Sequence, residues 1–264
     1  VNGTADVGGA VAISNTTGLA RTLALNTVGT INIHGGASIA GSVGNALNVT
    51  LNATGGNTIA GTINNSGGTT TLTGATALTG TLANGTLTGT TLTGSNATLD
   101  GITIGSNLTT VGNFYINNLT LANGVTVNMG NSTWGFNTTG LQHIAVQGGV
   151  GTATLNNAGG VFYAGYGVAG QTLQIDSGVT LQGYGTLTQS SVASLINAGT
   201  INANTVGQTF SISTDTFINN GTLSATSGDG LSISPATFAN SSTGIINVSG
   251  GTVSIGPASG TALN

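Results

Sequence analysis

Charge is nearly missing from this sequence. Its 264 residues contain no Lys and no Glu, and the charged side chains are Arg21, Asp6, Asp100, Asp176, Asp215 and Asp229. Binding to a phosphate backbone needs several Lys or Arg on one surface, so nucleic acid is excluded as a partner. Recruitment to anionic lipid fails for the same reason. Disorder normally accompanies high charge and low hydrophobicity, yet 38% of this chain is apolar and only 2% charged. Cysteine is absent, which removes disulfides and thiolate metal sites. No run approaches the ~20 apolar residues of a membrane helix, so membrane insertion by this segment is not expected. No basic and apolar leader stands at Val1, so any export signal is expected to have been removed or to lie outside these residues.

What remains is small and β-branched aliphatic side chains set among Thr, Asn, Ser and 47 Gly. That is material for thin strands and tight corners, and the pattern is clearest near the C-terminal end. Ile196-Asn197-Ala198-Gly199-Thr200-Ile201 is followed by Ile218-Asn219-Asn220-Gly221-Thr222-Leu223, then by Phe238-Ala239-Asn240 and, after a small insertion, Gly244-Ile245-Ile246-Asn247. Each copy leads into a second alternating phrase that ends in Ile212, Ile233 or Ile255. Short alternating strands that recur at this spacing, separated by Gly and Asn, specify a solenoid. The predicted fold is all-β, a parallel β-solenoid with about 22 residues per coil and about 12 coils, continuous over residues 1–264 as one domain.

Elsewhere the repeat is less regular. Residues 1–28 are the least repetitive and read as a cap or a subunit-docking segment. Arg21 falls in phase with Leu19, Leu23 and Leu25, at a coil edge, paired with an Asp such as Asp6, or as a docking charge for a neighbouring subunit. From Gly29 to Asp100 short strands alternate Leu or Ile with Thr, as in Gly85-Thr86-Leu87-Thr88, which puts an aliphatic row inward and a hydroxyl row outward. Most aromatics fall between Phe114 and Tyr184. The Gly-rich stretch Gly159–Gly167, with Phe162, Tyr163 and Tyr166, reads as a loop or bulged coil, or as an aromatic platform for a sugar or partner.

Stacked coils predict ladders of like residues. Ile201, Leu223 and Ile245, and likewise Ile212, Ile233 and Ile255, are expected to form aliphatic ladders in the core. Asn197, Asn219 and Asn240 are expected to hydrogen-bond along a corner ladder or to serve as plain turn formers. Asn48, Asn84, Asn96, Asn118 and Asn220 each begin an Asn-x-Thr glycosylation sequon, where attached sugars would supply hydration that charge does not.

These phrases, sharpest over 195–255, resemble the right-handed parallel β-helices of bacterial surface proteins, the autotransporter passengers and filamentous-haemagglutinin-like adhesins. The resemblance implies a right-handed coil, a secreted or cell-surface location and a structural or adhesive role. Two departures stand out: these residues contain no outer-membrane barrel, and charge is scarcer than is usual for that group.

An enzyme is not expected. The five Asp are scattered at intervals that are not whole coils, as from Asp176 to Asp215, whereas glycoside hydrolysis needs two carboxyls at a defined separation. His34 and His143 lack neighbours at metal-ligand spacing and read as coil-edge residues, so no metal and no cofactor is predicted. The leading expectation is an extracellular structural protein, an adhesin or fibre subunit that associates with other copies of itself through open coil ends. The alternative is a binding module for ice or surface glycans, using Thr rows or aromatic clusters. Against it, Thr-x-Thr pairs such as Thr86/Thr88 and Thr91/Thr93 are not expected to recur at one register through all coils.

Overall fold

A computed structural model describes residues 3–256 and the backbone of 262–263. Among the described residues there are strands, one short 3-10 turn at Gln147–Gly149, and no α-helix. The chain is an all-β solenoid of about 11 turns, averaging about 22 residues per turn. It divides into two compact units, Val1–Ala122 and Asn123–Asn264.

In the first unit, residues 5–27 already form a complete coil. Its strands Ala5–Val7, Ala12–Asn15 and Arg21–Thr27 lie parallel to Ile31–Ile33, Ser38–Gly41 and Leu47–Ala53. The coils then shrink. Ala5 lies opposite Ile31, Thr62 opposite Thr81 and Thr69 opposite Thr86, each step along the chain shorter than the last. Residues are lost from corners, because the ladder holds the strands in register while corners have no partner side chains to keep. One inward row runs Ile39, Ile63, Leu82, Leu99, Ile116, each stacked on the next and each fully buried. Burying such a side chain contributes roughly 1.5–3 kcal/mol. In the narrow coils Thr70, Thr76 and Thr110 also face inward, where a larger aliphatic group would overfill the section.

The second unit begins wide. Thr126 lies opposite Thr154, and Leu141 opposite Thr172, the longest step among the described pairings. These broad sections contain the bulkiest buried side chains, Met129, Trp134, Phe136 and Phe162, with Trp134 meeting Phe162 edge-on at 5.6 Å. Toward the C-terminal end the coils become nearly equal in length, with Leu195 on Phe217 on Phe238. The row Ile212, Ile233, Ile255 stacks as expected.

One predicted ladder position is wrong by a single residue. Leu223 faces Ile246, and Ile245 lies opposite Thr222 with 57% of its surface exposed. The insertion at Ser241-Ser242-Thr243-Gly244 is longer by one than the ladder assumed. Because side chains alternate, the one-residue error moves Ile245 to the outer face.

Corners bring backbones so close that some tolerate only Gly. A Cβ on Gly221 would run into the carbonyl oxygen of Gly199 one coil away. Gly207 is constrained differently: its φ is +71° but nothing lies within 4 Å of a Cβ there. Gly221→Ala should therefore lower the thermal midpoint well beyond Gly207→Ala, costing about 2–4 kcal/mol against about 1–2 kcal/mol for torsional strain alone. Calorimetry of the two variants checks this, and equal shifts would refute the crowding argument.

Candidate functional site

The predicted Asn ladder forms in the second unit. Each Asn ends a strand with its side chain inward, just before the corner whose carbonyls no strand reaches. Asn197 Nδ2 donates to Asn219 Oδ1 at 2.8 Å, and Asn219 Nδ2 to Asn240 Oδ1 at 2.8 Å. The same amides serve the corner backbone, Asn197 donating to the Thr222 carbonyl and Asn240 to that of Gly244. Asn197 and Asn219 are fully buried. Asn197 lies opposite Ile175, and its Oδ1 has no donor among the described residues. Both amide-to-amide donations therefore point the same way along the stack.

The sequon asparagines separate into two kinds. Asn84, Asn96, Asn118 and Asn220 are exposed, the first three at left-handed φ of 51°, 53° and 48°. Asn48 instead lies mid-strand, half-buried, its Oδ1 accepting the Thr69 N–H at 2.9 Å. Arg21 is exposed on the first coil.

Sequence reasoning missed two His–Asp pairs. In the first unit His34 Nε2 lies 3.1 Å from Asp6 Oδ1, which also accepts from Asn32 Nδ2 at 2.8 Å. In the second, His143 Nδ1 lies 3.0 Å from Asp176 Oδ1, and Gln174 Nε2 donates to that oxygen at 2.7 Å. In each pair the partners are separated along the chain by the local coil length plus a short offset, so a fixed repeat count does not bring them together. Each pair clips one coil to the next. Among the described residues no group of three His, Cys, Asp or Glu could hold a metal ion.

The Gly159–Gly167 stretch is in part strand, within Ala153–Tyr163, with a register shift between Ala158 and Val161. Tyr163 and Tyr166 meet edge-to-face at 5.2 Å. Every Phe and the single Trp are buried, while Tyr115, Tyr163 and Tyr184 are half-buried and Tyr166 is exposed.

As expected, the Thr-x-Thr pairs do not recur through all coils: they stack from Thr69/Thr71 to Thr86/Thr88, but Thr91/Thr93 meets Thr109/Val111. In the second unit a single Thr per coil holds one register through five coils: Thr126, Thr154, Thr180, Thr200 and Thr222. Beside it, two positions further along each strand, runs a parallel row of Asn128, Asn156, Gln182 and Asn202. Within that row Asn156 donates to Asn128 at 2.8 Å and Gln182 to Asn156 at 2.7 Å.

Two measurements test these contacts. Asn219→Ala takes the donor from Asn240 Oδ1 and one of the two acceptors from the buried Asn197 amide, and should cost about 2–5 kcal/mol in urea unfolding. Full stability in that variant would mean the ladder is ornamental. The Asn32 amide, with a smaller share from His34, holds the Asp6 carboxyl below its ordinary value near 3.8. A depressed carboxyl stabilises the fold above its unfolded value and loses that contribution as pH falls through the folded one. The melting difference between the parent and Asp6→Asn should thus be present above about pH 4 and vanish on acidification below it.

A comparison with known protein families, with curated proteins and with solved structures finds no match.

Proposed function

We propose that this chain is a non-enzymatic structural segment of a secreted or cell-surface protein, and that copies of it associate by adding coil to coil. The observation that carries this reading is the gradient of burial at each outermost coil. In the first unit Leu23 and Leu25 are only half-buried, whereas Val49 and Leu51 one coil inward are fully buried. In the second, Val253 and Ile255 are half-buried and their partners Leu231 and Ile233 almost entirely so. The strands Arg21–Thr27 and Thr252–Ile255 each pair on one side only among the described residues. A further coil, of the same polypeptide or of a second copy, would complete the burial and use the open backbone groups. With so few charges, little repulsion opposes the approach of another copy. Exposed corner asparagines fit an extracellular surface that carries sugars.

The edge can be blocked without disturbing the ladder beneath it. Thr252 N–H donates to the Asp229 carbonyl and Gly256 N–H to that of Ile233, so in a parallel pair the N–H of Val253 faces the open side. Val253→Pro removes that donor and should weaken association by about tenfold while leaving the melting transition nearly unchanged. Sedimentation velocity across a concentration series reads the effect. A parent chain that stays at monomer mass throughout would overturn the proposal.

A further inference from the structure

The outer face of the second unit that carries the five-Thr row is a repeating surface, and we propose that it binds ice. Each Thr is half-buried and is followed along its strand by a fully buried aliphatic side chain: Val127, Leu155, Leu181, Ile201 and Leu223 in successive coils. The backbone under the row is therefore fixed, and the β-branched Thr side chain is stiff at χ1. The row beside it is fixed as well, by the amide-to-amide bonds from Gln182 to Asn156 and Asn156 to Asn128. Asn202 continues that row.

A surface that repeats one group at one step selects a partner with the same step. Successive coils are about 4.7–4.9 Å apart. Water joined tetrahedrally at about 2.75 Å puts second-neighbour oxygens about 4.5 Å apart, so misfit over five coils accumulates to only about 1 Å. Thr meets such a lattice with both of its groups. The hydroxyl donates and accepts as a water does, and the methyl, which cannot, holds the waters around it in an ordered cage. Neither row contains a charged side chain, and a charge would keep its own hydration shell out of register with the lattice. Sugar recognition would call for aromatic faces repeated along the stack, whereas Tyr184 borders the rows at one coil only.

The steps in the Thr row are unequal along the chain, longest from Thr126 to Thr154 and shortest from Thr180 to Thr200. No constant period connects these threonines, so they align only when each coil closes at its own length. The inference is independent of self-association, which is measured in liquid water.

Thermal hysteresis and fluorescent ice-plane affinity of the full chain test it. The parent chain should show a hysteresis gap, shape growing ice crystals and label a defined plane. Thr180→Lys, at the centre of the row, should reduce the gap about fivefold or more, because a hydrated charge is set into the repeat. Thr172→Lys, half-buried on another outer face, should leave it unchanged. Thr180→Val keeps shape and methyl, and serves if the Lys variant alters the circular dichroism; it should retain ice shaping with a smaller gap. Absence of hysteresis and ice shaping in the parent would overturn the inference, as would a gap equally insensitive to all three substitutions.

Discussion

Backbone pairing between successive coils is the constraint from which everything else follows. A residue in a strand is held in register with one residue in the coil before it and one in the coil after, so like side chains meet and a slip of one position inverts inside and outside. Variation is pushed to the corners. The extra residues at Ser241–Gly244 show this directly: they enlarge one corner, and Ile246 still lands on Leu223. The corners in turn depend on groups that take up little room or carry their own hydrogen bonds, which is why stacked Gly199 and Gly221 alternate with inward Asn197 and Asn219.

Coil circumference and core composition are matched. Where the turn is short, as from Thr69 to Thr86, Leu and Ile share the interior with Thr70, Thr76 and Thr110. Where it is long, as from Thr126 to Thr154 or Leu141 to Thr172, Trp134, Phe136, Phe162 and Met129 occupy the added width. Close packing leaves no other choice, since a broad section lined by Val and Ala would enclose voids and a narrow one could not admit an indole.

This matching also explains what could be read from the sequence. Over 195–255 coils are nearly equal in length, so a plain count aligned Asn197 with Asn219 and Ile212 with Ile233, and the solenoid followed. Ile245 was misplaced because the length of an insertion does not reveal how much of it leaves the ladder. The His34–Asp6 and His143–Asp176 pairs, and the Thr row from Thr126 to Thr222, were illegible for a related reason. Their intervals depend on where each corner closes, and corner closure is decided by three-dimensional packing rather than by any local motif. The core therefore announces itself through repetition, while the outer surface is visible only after folding.

The single tryptophan, buried among Phe162 and its neighbours, gives the molecule an internal optical probe. Trp134 belongs to the broad section of the second unit, and the first unit has no Trp and one Tyr, at position 115. Its emission will redden when that section opens to solvent. Set beside far-ultraviolet dichroism, which sums over every strand, it distinguishes the opening of this one section from the loss of strand as a whole, by comparing two curves from one sample.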